Sequence, residues 1–173
     1  MTRLGKFIKQ PREVEMYAIQ FAEDMSESDS LSAAYGALSL QRGMAGERVQ
    51  DGPYAAQLQD YGWLLYANAS ITLPEAVPDG YVLMVSNVDQ DAALLVGPFP
   101  LAARGAMIVR RQAGAWQVEM SATCIIVAAG RDQRVRMVVA GGVDGASYKG
   151  QITATTAEGR TMEDEMLIRV KES

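Results

Sequence analysis

The chain has no histidine, a single cysteine and, among 173 residues, only three phenylalanines and two tryptophans. Each shortage removes a class of function. Without histidine, the commonest general base and the commonest zinc ligand are missing. Cys124 alone leaves no intrachain disulfide framework. No apolar run approaches the roughly 20 residues needed to span a bilayer. The start, MTRLGKFIKQPREVEMYAIQF, lacks the uninterrupted apolar stretch of a signal peptide. No membrane partner is therefore expected, and the chain is expected to be made and kept in the cytosol. The net charge is −5 with no block of lysine and arginine. That argues against a nucleic-acid partner, because binding phosphates needs a concentrated basic face.

What is present is strand periodicity. In the last forty residues Val135, Met137 and Val139 alternate with arginines; Tyr148, Ile152 and Ala154 alternate with Lys149, Gln151 and threonines; and Met166, Ile168 and Val170 alternate with Arg169 and Lys171. A period of two buries one face of each run and wets the other. Gly141-Gly142-Val143-Asp144-Gly145 and Glu158-Gly159 supply residues that tolerate positive φ. These runs therefore predict three successive antiparallel strands joined by hairpin turns. Val14 to Phe21 predicts a further strand with Tyr17, Ile19 and Phe21 inward. Ser30 to Leu40 is open between a strand and a helical turn. Gly43 to Gly62, rich in Gly, Gln and Asp and broken by Pro53, reads as a boundary. Beyond it WLLYANASITL, YVLMVSNV, ALLVGPF, AMIVRRQ and WQVEM predict a small β unit of closely spaced short strands. Too small to be robust alone, such a unit needs a neighbour to pack on.

Reactive constellations are scarce. Glu163 and Glu165 share one face of their strand and Asp164 points to the other, a poor cleft for paired-carboxylate chemistry. Arg160 and Lys171 are the expected salt-bridge partners of these acids. GGVDG lacks the lysine and helix start of a phosphate loop. The acids between Glu23 and Ser32 lack calcium-loop spacing. Cys124 in an apolar run reads as a buried, inert thiol. Trp63 and Trp116 read as core of the small unit. Met16, Met84, Met107, Met137 and Met166 are expected in the core, with Met1, Met25 and Met44 exposed. No nucleophile, base and orienting group meet in one segment, so no enzyme, cofactor or metal site is expected. Leu4, Phe7 and Ile8 are large apolar groups in an arm (residues 1–13) between basic residues, suited either to folding back on the domain or to docking on a neighbour. Arg110 and Arg111 fall on opposite faces of one strand, so at least one lies at a surface or an interface. These five residues are the candidate partner contacts.

The final segment resembles the end of the small Ig-like fiber-tail adaptor proteins of tailed bacteriophages. The resemblance rests on Gly141, Gly142, Gly145, Tyr148, Thr155, Thr156, Gly159, Arg160, Glu163, Glu165, Ile168, Arg169 and Val170. The start resembles the same proteins through Lys9, Pro11, Glu13, Tyr17, Ile19, Phe21, Ser26 and Ser28. It implies an all-β, Ig-like antiparallel β-sandwich made from residues 1–45 and 118–173, with residues 46–117 inserted as a small β module. It further implies a structural virion protein, assembled in the host cytoplasm, that joins the tail to its fibers or neighbouring tail proteins. Its partners would be the tail tube or connector and the fiber, contacted from a homo-oligomeric ring. A head-side decoration or head-completion protein and a carbohydrate-binding β module, with Trp63, Tyr66 or Trp116 stacking on sugar, are the alternatives.

Overall fold

The computed structural model describes residues 4–10 and 13–172, with the backbone alone for residues 4–7. In chain order the strands are β1 (Leu4–Lys9), β2 (Val14–Gln20), β3 (Leu31–Leu40), β4 (Gly46–Gln50), β5 (Tyr54–Ala55), β6 (Trp63–Ala67), β7 (Ile71–Thr72), β8 (Val82–Asn87), β9 (Leu94–Val96), β10 (Phe99–Leu101), β11 (Ala106–Gln112), β12 (Ala115–Ala129), β13 (Asp132–Gly141), β14 (Ser147–Thr156) and β15 (Thr161–Val170). Two single turns of 3-10 helix, Ala22–Asp24 and Leu58–Asp60, are the helical elements among the described residues. The open choice at Ser30 to Leu40 resolves as a strand.

Three sheets form layers. A seven-stranded sheet, in the order β2-β13-β12-β11-β8-β6-β4, lies between a four-stranded sheet β1-β15-β14-β3 and a small sheet β10-β9-β7-β5. Alternation along the shared strands creates this layering. Leu64, Val82, Met84, Ala106 and Ile108 join Tyr148, Ile152, Met166 and Ile168 in one core. Their sequence neighbours Leu65, Leu83, Val85, Met107 and Val109 join Ile71, Leu94, Val96 and Leu101 in a second. A strand covered on both faces needs no polar side, which is why β8 is buried at every position. At roughly 1.5–3 kcal/mol for each buried large aliphatic side chain, these two cores dominate the folding free energy.

The architecture is the all-β sandwich expected, but its pairing is mixed. β11-β12-β13 and β14-β15 pair antiparallel, as do β2 with β13 and β3 with β14. β1 lies parallel to β15, and β4-β6-β8 and β5-β7-β9 are parallel ladders. Residues 46–117 supply β4 to β11, of which β4, β6, β8 and β11 continue the sheet that β2, β13 and β12 begin and the other four form the small sheet. β12 crosses position 117/118 without a break.

Several local expectations change. Glu158-Gly159 does close the β14-β15 hairpin, with Gly159 at φ 86°. Gly141 to Gly145 does not close a hairpin: β13 and β14 belong to different sheets, and this segment carries the chain across the core. Tyr148, fully buried, accepts a hydrogen bond on its hydroxyl from the Val143 N–H at 3.0 Å and so ties the crossover to the strand that follows. Burial pushes its phenol up to about 12. Tyr148→Phe leaves that N–H without its acceptor and is expected to cost about 1 kcal/mol in a urea titration.

Gly43 to Gly62 is structured rather than a boundary, since β4, β5 and the Leu58–Asp60 turn lie in it. WLLYANASITL is two strands, β6 and β7, in different sheets. Met16 is 59% exposed rather than core, because the parity that buries Tyr17 turns it outward. Met25 and Met44 are partly buried against the first core rather than exposed.

Candidate interaction surfaces

The arm residues Leu4–Lys9 form β1, an edge strand on β15, with Leu4 opposite Glu165 and Ile8 opposite Arg169. Ile8 is 69% exposed while Lys9 is buried, its ammonium donating to the Gln10 carbonyl at 2.7 Å. Burial lowers the Lys9 pKa, against the opposing fields of Glu13 and Glu15. The side chains of Leu4 and Phe7 lie outside the described residues, as do residues 1–3 and 11–12 of the arm. Because β1 covers an edge of the chain's own sheet, deleting residues 1–9 bares β15. That truncation is expected to lower the melting temperature by about 5 °C. An unchanged melting curve would show that the pairing adds nothing to the isolated chain.

Arg110 and Arg111 point to opposite faces of β11, and each is engaged within the chain. Arg110 makes a two-pronged pair with Glu119, at 2.8 and 3.3 Å. The hydrogen bonds that Arg110 donates to Glu119 hold the Arg110 pKa above its ordinary value. Arg111 sits 5.9 Å from the Trp116 ring centroid. Neither shares a cavity with Ile8, whose open pocket is walled by residues 144–147 and 169–172. Trp63 and Trp116 both pack against the second core, and the Trp116 N–H donates to the Pro74 carbonyl at 3.0 Å.

The acidic strand resolves unevenly. Asp164 is buried while Glu163 is exposed, and Glu165 pairs with Lys149 at 3.2 Å rather than with Arg160 or Lys171. Cys124 is buried, and burial pushes its thiol up to about 12. Among the described residues no group of three acids or cysteines is placed to hold a metal, and no helix is long and apolar enough to cross a membrane.

Two surfaces escaped the sequence reading. The first is a groove at the β4 end of the seven-stranded sheet. Tyr66 lies on the same side of β6 as buried Leu64, yet its ring meets Tyr35, on the outward side of β3, edge-on with centroids 5.9 Å apart. The large sheet therefore wraps round the edge of β3. That edge is further covered by the Gln90 amide, which donates to the Ala34 carbonyl and accepts from the Ala34 N–H, both at 3.0 Å. The wrap opens a cavity of about 440 Å³ walled by Tyr35, Glu47, Val49, Tyr66 and Glu163 among others. Tyr66 donates to Glu47 at 3.1 Å, and its pKa is raised by burial and by the nearby carboxylates. Glu163 makes no ion pair among the described residues.

The second surface is the outward face of β2, β13 and β12. The small sheet covers only the other half of the large one, over β6, β8 and β11. On the bare half Val14, Met16 and Ile125 are 64%, 59% and 48% exposed, with Ala18 and Val138 beside them. In their midst Arg136 lies opposite Ala18 on one side and Ile125 on the other, with no ion pair among the described residues. Its neighbour Arg134 is held by Asp132 at 2.9 Å. The exposure of Val14 and Met16 follows from the alternation of β2. That no described residue covers them does not.

Fold and surfaces together define an all-β sandwich protein that presents a bare apolar sheet face and an open acidic groove. Within it, residues 101–169, from the end of β10 to the penultimate residue of β15, match the family model described as podophage GP4 fiber-tail adaptor protein gp77. The matched stretch is less than half of the 173 residues and contains most of the C-terminal segment in which the resemblance to fiber-tail adaptors was read. The N-terminal part of that resemblance lies outside it. No curated protein and no solved structure matches the chain.

Proposed function

We propose that this chain is a structural protein of a tailed-phage virion, an adaptor that joins the tail to its fibers or to neighbouring tail proteins. The match of residues 101–169 to the fiber-tail adaptor family carries this reading. The fold suits the role, since layered sheets present broad rigid faces and adaptor work needs repeated protein contact rather than chemistry.

In this reading residues 1–45 and 118–173 are an Ig-like mount, which pairs the four-stranded sheet with the β2-β13-β12 half of the large one. Residues 46–117, inserted between them, carry the outward contact. The arm residues Leu4, Phe7 and Ile8, with Arg110 and Arg111, remain candidate contacts to the tail tube, the connector or the fiber. The copies form a ring within the virion, assembled in the host cytoplasm.

The test is a cryo-EM map of the intact virion with this chain fitted into it. Density in a ring where fibers meet the tail is the expected result. Density on the capsid shell would replace the adaptor with a head-side decoration or completion protein, and absence from the particle would remove the virion role.

A further inference from the structure

The acidic groove and the bare Arg136 face lie at opposite edges of one seven-stranded sheet, β4 at one end of the strand order and β2 at the other. Their chemistries are complementary. The face offers a guanidinium with no acidic partner among the described residues, ringed by Met16, Ala18, Ile125 and Val138. The groove offers Glu47, the Glu163 carboxylate with no ion pair among the described residues, two tyrosine rings, and Val49 at 77% exposure. An arginine suits such a socket, because its planar fork takes carboxylates while its flat face rests on aromatic rings. We infer that the groove receives the Arg136 face of a second copy of this chain. The contact is head-to-tail, with Arg136 seated against Glu163 and Glu47.

A contact between two different patches leaves one of each unused on every pair, so it repeats from copy to copy and closes into a ring when the rotation allows. The inference rests on the ring assumed in the adaptor reading and names the faces that would build it. The apolar residues around Arg136 would supply the desolvated centre. The charges would set register and speed of encounter. Covering Val14, Met16 and Ile125 in this way also accounts for an exposed apolar face on a chain of otherwise well-segregated cores.

Charge reversal in solution tests it. The purified full chain is expected to self-associate in sedimentation velocity. Arg136→Glu and Glu163→Arg are each expected to weaken that association about 100-fold or more, since like charges are then juxtaposed. Glu163 is exposed and Arg136 lies half-exposed on the uncovered face, so each variant should melt close to the parent, and mixing supplies an internal check. An equimolar mixture of the two variants pairs an acidic face with a basic groove and a basic face with an acidic groove, and association is expected to return with the two copies alternating. A parent chain that stays monomeric at every soluble concentration would overturn the inference. So would a single reversal that associates like the parent, or a mixture that fails to recover. Finding the chain at the tail in the virion map while any of these holds would leave the adaptor reading in place and remove this contact alone.

Discussion

Gly141→Ala is expected to lower the stability of the chain by about 3–4 kcal/mol, a strain of about 1–3 kcal/mol and an overpacking cost of similar size acting together. Gly141 ends β13 at φ 86°, opposite Met120 of β12. A Cβ there would stand 2.6 Å from the Glu119 carbonyl oxygen and 3.2 Å from the Met120 Cα. These are backbone atoms that no rotamer change can move. The same carbonyl oxygen accepts from the Gly142 N–H at 2.6 Å, so the intruding methyl would also push against the hydrogen bond that starts the crossover between sheets. Gly145 supplies the control. It too has a positive φ, 81°, but its Cβ would meet nothing within 4 Å. Gly145→Ala should therefore cost only the left-handed strain, about 1–2 kcal/mol. Urea midpoints of the two variants measure the difference. Equal losses would mean that the β12-β13 backbone relaxes round the added methyl and that the crossover is less rigid than its contacts imply.

Asp60→Ala is the second large effect, expected at about 2–4 kcal/mol because it leaves a half-buried cation and two donors without their acceptor. Asp60 is fully buried. One carboxylate oxygen accepts from Arg48 at 2.8 Å; the other accepts from the Tyr54 hydroxyl and the Gln57 N–H, both at 2.8 Å. Arg48 in turn lies 5.2 Å from the Tyr54 ring centroid and 5.3 Å from that of Trp63, so the charge pair pins β4, β5, β6 and the Leu58–Asp60 turn together. Burial works against the carboxylate. The hydrogen bonds from Gln57, Arg48 and Tyr54 and the charge of Arg48 outweigh it and hold the Asp60 pKa below its ordinary 3.8.

The pH dependence follows in sign. A carboxyl whose pKa is depressed on folding contributes stability that is fully present above its unfolded pKa, and that contribution is lost as pH falls through the folded value. Asp60→Asn should therefore be markedly less stable than the parent at neutral pH. The gap should narrow below about pH 3.8, where the parent loses what the variant never had. Urea titrations of both proteins at neutral and acid pH give the comparison. A gap that stays constant to low pH would assign the loss to packing rather than to ionisation.

Much of the strand inventory was legible in the residues themselves. Period-two alternation placed Val135, Met137 and Val139, then Tyr148, Ile152 and Ala154, then Met166, Ile168 and Val170 in the interior, and each is buried. A side chain's facing depends only on its position along its own strand, so this information is local. The absence of histidine and the separation of Glu163 and Glu165 from Asp164 were equally plain, and so was the resemblance of the last segment to fiber-tail adaptors. Tertiary structure decided what local pattern leaves open. GGVDG reads the same whether it closes a hairpin or crosses between layers, because a positive φ describes a turn and not its destination. The stretch from Gly43 to Gly62 looked like a boundary because its order comes from Asp60, Arg48 and Tyr54 meeting across short strands that have no periodicity to display. Both candidate docking surfaces belong to this second kind. The groove exists because the large sheet wraps past β3 until Tyr66 reaches Tyr35, and the Arg136 face is bare because the small sheet covers only half of its neighbour. Which residues point outward is written along each strand; which outward residues remain uncovered is settled only when the layers stack.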